Sequence, residues 1–230
     1  MIRSIHVLFW LVGLSRQVLA QTKSSPIPPR PNETHLDLAI ERSENGTWRP
    51  LSPQTVLDNG NEIRFRLRTS FPGYLYAYYR SSDGDAEWLY PSPGSDQSNR
   101  IEGGTDYAVP AGSTFYVVRG KPGFDLIYWL ISPAPFPALN WRPRIDDGPV
   151  PRTMVPRCRE YVRVGQACMD DHAGAAQIAK ASELIPHSEA SPPSTLKPRE
   201  LRLTSEAEGT RIESKNGPGL IVYEFRVAHR

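Results

Sequence analysis

Two rows of side chains on neighbouring segments form the most suggestive functional pattern in this sequence. Arginine occupies every second position within Glu62–Thr69 and tyrosine every second position within Gly73–Arg80, and the residues are Arg64, Arg66, Arg68, Tyr74, Tyr76 and Tyr78. Because side chains alternate between the faces of a strand, each row lies on one face. If the two strands pair, the rows form a cation–π surface that can bind a sugar or an anionic polymer. The alternative is ordinary cross-strand packing with the arginine head groups in solvent.

Catalytic chemistry has no recognisable signature in the chain. The sequence lacks a G-x-S-x-G elbow, an H-E-x-x-H motif, a phosphate-binding loop and a dinucleotide fingerprint, so we predict no catalytic residue and no cofactor. The compact cluster Asp170-Asp171-His172 either binds a cation or caps a helix, and we interpret it as a cap. The acidic residues at 83–87 lack EF-hand spacing, so no metal site is predicted. An enzyme, such as a hydrolase, with an unrecognised site remains an alternative.

The two cysteines, Cys158 and Cys168, favour a disulfide in an exported protein. Such a bond closes a short loop and stabilises the fold by about 3 kcal/mol on the loop-entropy estimate. A metal site requires further ligands at a suitable spacing, and His172 is the one nearby candidate.

The N-terminus has the three regions of a signal peptide. Arg3 precedes the uncharged apolar stretch at residues 7–14, and Ala20 ends a segment suited to cleavage before Gln21. The apolar stretch is far shorter than the roughly 20 residues of a membrane-spanning helix. We therefore predict a signal peptide at residues 1–20, a Pro-rich linker at 21–33, and a protein that is periplasmic or secreted, with no transmembrane segment after cleavage.

The charge balance argues against nucleic-acid binding. The chain has 27 Lys and Arg against 25 Asp and Glu, and the predicted signal peptide removes Arg3 and Arg16 but no acid. The mature chain is then formally neutral, whereas nucleic-acid binding requires a basic surface.

Residues 55–132 contain short apolar runs separated by turn dipeptides, a pattern typical of antiparallel sheets. Glu62–Thr69 alternates strictly, whereas Gly73–Arg80 and residues 124–131 are apolar on both faces except at Asp125. Strands that are apolar on both faces usually lie in the centre of a sheet or between two layers. We predict an all-β, immunoglobulin-like antiparallel sandwich. Its core should include Ile63, Phe65, Leu67, Leu75, Leu126, Tyr128 and Leu130.

The second half of the chain is less regular. We predict a β-sandwich domain at residues 34–135, a Pro-rich, disulfide-containing insertion at 136–198 with one short helix at 173–184, and a C-terminal β pair at 199–230. In this pair residues 200–204 lie beside residues 220–227, and the last strand returns to the main sheet because its alternating apolar face requires cover. A turn is expected at Asn45-Gly46, after which residues 48–51 lead through a loop to Asp58-Asn59-Gly60.

Several ordered pieces between residues 48 and 135 resemble the bacterial domain-of-unknown-function family numbered 4384. They are G-N-E-I-R-F-R-L-R-T at 60–69, G-Y-L-Y-A-Y at 73–78, S-D-G at 82–84, L-Y-P at 89–91, N-R-I-E-G-G at 99–104 and I-Y-W-L-I-S-P-x-P at 127–135. The resemblance implies an exported or envelope-associated β domain and supplies no catalytic residues. The sequons at Asn32 and Asn45 would normally carry no glycan in a bacterium.

Together these observations favour an exported, non-catalytic module that binds an envelope protein or a glycan. The sequence specifies neither the ligand nor the oligomeric state.

Overall fold

The computed structural model describes residues 34–92, 98–135, 151–158, 167–178, 198–214 and 219–230. The predicted signal peptide and linker at residues 1–33 lie outside these ranges. The regular structure within them consists of strands: β1 Thr34–Glu44, β2 Thr47–Leu51, β3 Glu62–Thr69, β4 Gly73–Arg80, β5 Ala86–Tyr90, β6 Arg100–Ile101, β7 Asp106–Val109, β8 Tyr116–Val117, β9 Gly123–Ser132, β10 Gly174–Ala176, β11 Leu201–Glu206, β12 Gly209–Ser214 and β13 Ile221–His229.

The described residues include no helix of sufficient length and apolarity to cross a membrane.

The strands form two antiparallel sheets, as the sequence predicts. The first sheet has the order β11-β12-β1-β3-β7, with β2 also paired to β1 and β8 also paired to β3. Its inner face follows from alternation in β3, where Ile63, Phe65 and Leu67 are buried while the intervening arginines point away from the core.

The second sheet has the order β10-β13-β9-β4-β5, with β6 also paired to β4. Every residue of β9 and of β13 is buried. One face of β9 packs in the core shared with the first sheet, where Trp129 contacts Phe65 edge-on at a centroid distance of 5.3 Å. The other face places Leu126, Tyr128 and Leu130 in a second apolar cluster. All seven predicted core residues are therefore buried, but they are divided between two clusters.

Part of the predicted insertion covers the outer face of the second sheet. Cys158 and Cys168 form the expected disulfide, and both pack against the outer cluster together with Ala173. The helix predicted at residues 173–184 is wrong where the structure describes it, because Gly174–Ala176 is strand β10, paired to β13. Gly174 has a φ of +96°, which is incompatible with a right-handed helix. Residues 179–184 lie outside the described ranges.

The C-terminal strands pair differently from the prediction. Strand β11 pairs with β12, which was not predicted from the sequence. Strand β12 also pairs with β1, so this hairpin belongs to the first sheet. Strand β13 instead lies between β9 and β10 in the second sheet, so the expected return to the main domain is confirmed. The short turn between Glu206 and Gly209 lets residues 209–214 pair with β11 before the chain reaches β13.

Residues 48–51, which the sequence prediction did not assign to a strand, belong to strand β2. The turn that precedes β2 is as predicted, because Asn45 and Gly46 both have positive φ angles, at 53° and 76°. This two-residue turn directs Trp48 back along β1, opposite Ser43.

Candidate functional site

The predicted arginine and tyrosine rows do not share a surface. Strand β3 pairs with β1, β7 and β8, whereas β4 pairs with β9, β5 and β6, so the two strands lie in different sheets. The condition on which the shared cation–π surface depended is therefore not met. The two strands lie in different sheets because adjacency in sequence does not guarantee pairing when the chain crosses between the layers of a sandwich.

The arginine row forms ion pairs on the outer face of the first sheet. Nε of Arg64 lies 2.8 Å and Nε of Arg66 3.0 Å from the buried carboxylate of Glu41, which is on the adjacent strand β1. Arg68 lies 3.9 Å from Asp106 at an exposed position. The row is thus held in place by acids of neighbouring strands.

The tyrosine row packs mainly into the outer face of the second sheet. Tyr76 and Tyr78 are buried and contact Trp88 edge-on, with ring centroids 6.2 and 5.0 Å away. Tyr74 is partly buried against the same cluster. These three rings therefore contribute to packing rather than to a surface shared with the arginines.

The structure places a concave site elsewhere, in a cleft between the two sheets. Strand β5 ends the second sheet on this side, and β8 flanks β3 in the first. The cleft has a volume of about 180 Å³ and its walls are mainly apolar. The lining residues are Ile63, Phe65, Tyr79, Glu87, Leu89, Tyr116, Val117, Val118, Asp125, Ile127 and Val227.

The strand registers explain how four polar side chains enter this apolar cleft. Glu87 lies opposite Tyr79, which lies opposite Ile127, so a carboxylate, a phenol and an apolar side chain follow one another across the second sheet. Asp125 is two residues from Ile127 and therefore shares its inner face. From the first sheet, Tyr116 lies opposite Ile63.

Hydrogen bonds hold the Asp125 carboxylate at the inner wall of the cleft. The Tyr79 hydroxyl donates to one carboxylate oxygen at 2.9 Å, and the Ser82 backbone N–H donates to the other at 2.8 Å. Nε2 of the fully buried His229 lies 3.2 Å from that second oxygen. The carboxylate is thus fixed in orientation from three sides.

The two tyrosines of the cleft are held in their neutral form. Burial raises the pKa of Tyr79 well above its usual value, and the charge and hydrogen bond of Asp125 raise it further. Burial also raises the pKa of Tyr116, with a smaller contribution from the charge of Glu87. Both hydroxyls therefore stay protonated near neutral pH and can donate or accept hydrogen bonds.

Ser82, His229 and Asp125 lie together but do not have the geometry of a catalytic triad. A triad uses both ring nitrogens of the histidine, one toward the serine and one toward the acid. Here both partners approach Nε2, with Ser82 Oγ at 3.4 Å, while Nδ1 has no hydrogen-bond partner in the described part of the chain. The Ser82 hydroxyl donates to the Lys121 carbonyl at 2.9 Å. The cluster joins the end of β13 to β9 and the turn after β4.

The Asp170 cluster connects loops rather than capping a helix. The Asp170 carboxylate accepts hydrogen bonds from the backbone N–H groups of Arg157 and His172, at 2.7 and 2.8 Å. Nδ1 of His172 lies 3.0 Å from Asp170 and 3.1 Å from Asp171. Although burial opposes its charge, these hydrogen bonds prevail and lower the pKa of Asp170. The carboxylate thereby fastens together the two segments that the disulfide joins.

A smaller aromatic surface lies on the outer face of the first sheet. The guanidinium carbon of Arg64 lies 4.5 Å from the centroid of the Trp48 ring, and Phe115 lies 6.3 Å from the same ring. Phe115 is 42% exposed, an unusual value for a phenylalanine. We call Trp48, Arg64 and Phe115 the aromatic platform.

Comparison with known families finds one similarity. Residues 56–135 match the family model described as "Domain of unknown function (DUF4384)". The expected resemblance is thus confirmed, over little more than a third of the sequence. No curated protein and no solved structure matches the chain.

The DUF4384 segment supplies ten of the eleven residues that line the cleft, and Val227 of β13 supplies the other. Sequence reasoning did not assign this site, although it noted Asp125 as the single charge in an otherwise apolar strand. A carboxylate in a strand that is buried on both faces requires hydrogen-bonding partners. That requirement is the sequence feature from which a polar site around Asp125 could have been predicted. Glu87 and Tyr116 carried no comparable signal, because the packing of the two sheets brings them together.

Proposed function

We propose that this protein is an exported, non-catalytic binding module of the bacterial cell envelope and that the inter-sheet cleft is its binding site. The observation that carries the proposal is the combination of apolar walls with a few oriented polar groups, which is typical of ligand sites. The presence of most of the cleft within the DUF4384 segment supports it.

The chemistry of the cleft favours binding over catalysis. A general acid or base works best when its pKa lies near the operating pH, whereas the pKa values of Tyr79 and Tyr116 are raised far from neutrality. Ser82, whose hydroxyl lies near His229, is buried and already donates to a backbone carbonyl. These features support recognition by shape and hydrogen bonding.

Two observations support export. The Cys158–Cys168 disulfide fits an oxidising, extracellular location. The N-terminal sequence has the charged, apolar and small-residue regions of a signal peptide. Detection of the mature protein beginning at Gln21 in a periplasmic or culture fraction would test this part of the proposal.

Filling the cleft tests the binding site. Val117→Trp places a large ring in the cleft, and Val155→Trp makes the same change at an exposed position outside it. A library of small amphiphilic fragments is screened against both variants by saturation-transfer NMR. We expect the hits to bind the wild type and Val155→Trp but not Val117→Trp. Hits that bind Val117→Trp unchanged, or a library without hits, would contradict the assignment.

A glycan-binding module is the second candidate, and the aromatic platform favours it. Sugar rings stack on aromatic side chains, and Phe115 of the platform is exposed. The guanidinium of Arg64, which lies over the Trp48 ring, adds hydrogen-bond donors. Binding of the wild type and of Trp48→Ala to an array of bacterial and β-1,4-linked oligosaccharides tests this candidate. Arg49→Ala, an exposed change on the same strand, is the control. Glycan binding lost in the first variant alone would favour this candidate.

A further inference from the structure

We infer that the cleft accepts a lysine side chain presented by an extended peptide segment of a partner protein. The inference rests on the proposed function, because it specifies the occupant of the same site. Three properties of the cleft lead to it: its charge, its aromatic walls and its position at a sheet edge.

The charge of the cleft selects a cation. Its lining includes the carboxylates of Glu87 and Asp125, and none of the eleven lining residues is Lys, Arg or His. Glu87 is exposed at the cleft. A cationic group entering the cleft therefore meets an acid at its mouth and a second acid, hydrogen-bonded by Tyr79, at its inner wall.

The walls select a cation on an apolar stem. Tyr79, Tyr116 and Phe65 contribute aromatic rings, whose faces attract an ammonium group. The remaining walls are aliphatic side chains, which suit a chain of methylene groups. Lysine combines such a stem with a compact ammonium, whereas the wider planar guanidinium of arginine is best bound by two acceptor atoms side by side.

The position of the cleft favours a peptide over a free amine. Strand β5 has a single neighbouring strand, β4, among the described residues. The edge of a sheet can accept an extended peptide as an added strand through main-chain hydrogen bonds, and Ala86 and Glu87 are exposed at this end of β5. Glu87 and Leu89 of this same strand line the cleft. A peptide added to β5 thus runs past the mouth of the cleft.

Isothermal titration tests the inference with the mature protein. The probe is a capped five-residue peptide with a central lysine flanked by valines, compared with the analogue that has norleucine in place of lysine. We expect the norleucine peptide to bind about tenfold more weakly, since it keeps the stem and lacks the charge. n-Butylammonium, which has the charge and stem without a backbone, should bind more weakly than the lysine peptide.

Two charge-neutralising variants complete the test. Glu87→Gln should weaken binding of the lysine peptide about fivefold, whereas Glu208→Gln, an exposed glutamate on the β11–β12 turn, should leave it unchanged. Equal affinity for the lysine and norleucine peptides, or no effect of Glu87→Gln, would overturn the inference. If Val117→Trp still abolished binding in that case, the cleft would stand as the site with a neutral ligand. If n-butylammonium bound as tightly as the lysine peptide, the assignment of a peptide as the occupant of the cleft would be overturned.

Discussion

At the scale of single residues, the buried Glu41 organises the outer face of the first sheet. Its carboxylate accepts a hydrogen bond from Arg64 and forms an ion pair with Arg66, and its side chain is 6% exposed. Glu41→Gln removes the charge and leaves two guanidinium groups without an acid. Because both arginines are partly exposed, we expect a loss of about 2 kcal/mol in the free energy of unfolding, below the cost of breaking a fully buried pair. Urea denaturation measures it.

The matched control for Glu41 is Glu102→Gln. Glu102 pairs with Arg100 at 3.2 Å, but both side chains are more than half exposed. This change should alter stability by less than about 1 kcal/mol. Equal losses in the two variants would show that burial of Glu41 does not strengthen its ion pairs.

Asp170 should make the protein sensitive to acid. Its folded-state pKa is lowered, so its stabilising effect is complete above the unfolded pKa of about 4 and is lost as pH falls through the lower folded value. Asp170→Asn should therefore be less stable than the wild type at pH 7 and lose less additional stability below about pH 4. Urea denaturation at a series of pH values measures this, and parallel curves for the two proteins would contradict it.

At the scale of elements, β13 holds the second sheet together. It lies between β9 and β10, and its Phe225 contacts Phe65 of the opposite sheet at a centroid distance of 5.9 Å. Phe225→Ala should lower the free energy of unfolding by about 3–5 kcal/mol. The same change at the exposed Phe115 should cost less than about 1 kcal/mol. A chain ending at Lys215 lacks β13 and should aggregate, and a soluble, cooperatively folded monomer would refute its structural role.

The disulfide should have a smaller effect than β13. It joins two segments that cover the outer face of the second sheet, and its loop is short. Replacing both cysteines by serine should lower stability by no more than about 3 kcal/mol. Mass spectrometry of protein isolated from its natural compartment should find no free thiol, and two free thiols there would contradict the oxidised state.

At the scale of the whole molecule, the sequence predicted the layers better than their connections. The alternating apolar residues of β3 and the apolar residues on both faces of β9 identified the sandwich and its core. They could do so because the positions of apolar residues along a strand show which of its faces are buried. Strand β10 was missed because its sequence, Gly-Ala-Ala, has no strand pattern and pairs only where the edge of β13 is available. The cleft was not predictable, since Glu87, Tyr116 and Asp125 come from separate segments that meet when the two sheets pack.

The central claim, that the inter-sheet cleft binds a ligand, is tested most directly by NMR mapping of the bound peptide. Isotope-labelled mature protein is titrated with the lysine peptide, and backbone shifts are followed residue by residue. We expect saturable changes at Leu89, Val117 and Ile127, which line the cleft, and none in the Val117→Trp variant. Changes confined to the aromatic platform around Trp48, or the absence of saturable changes in the wild type, would contradict the claim.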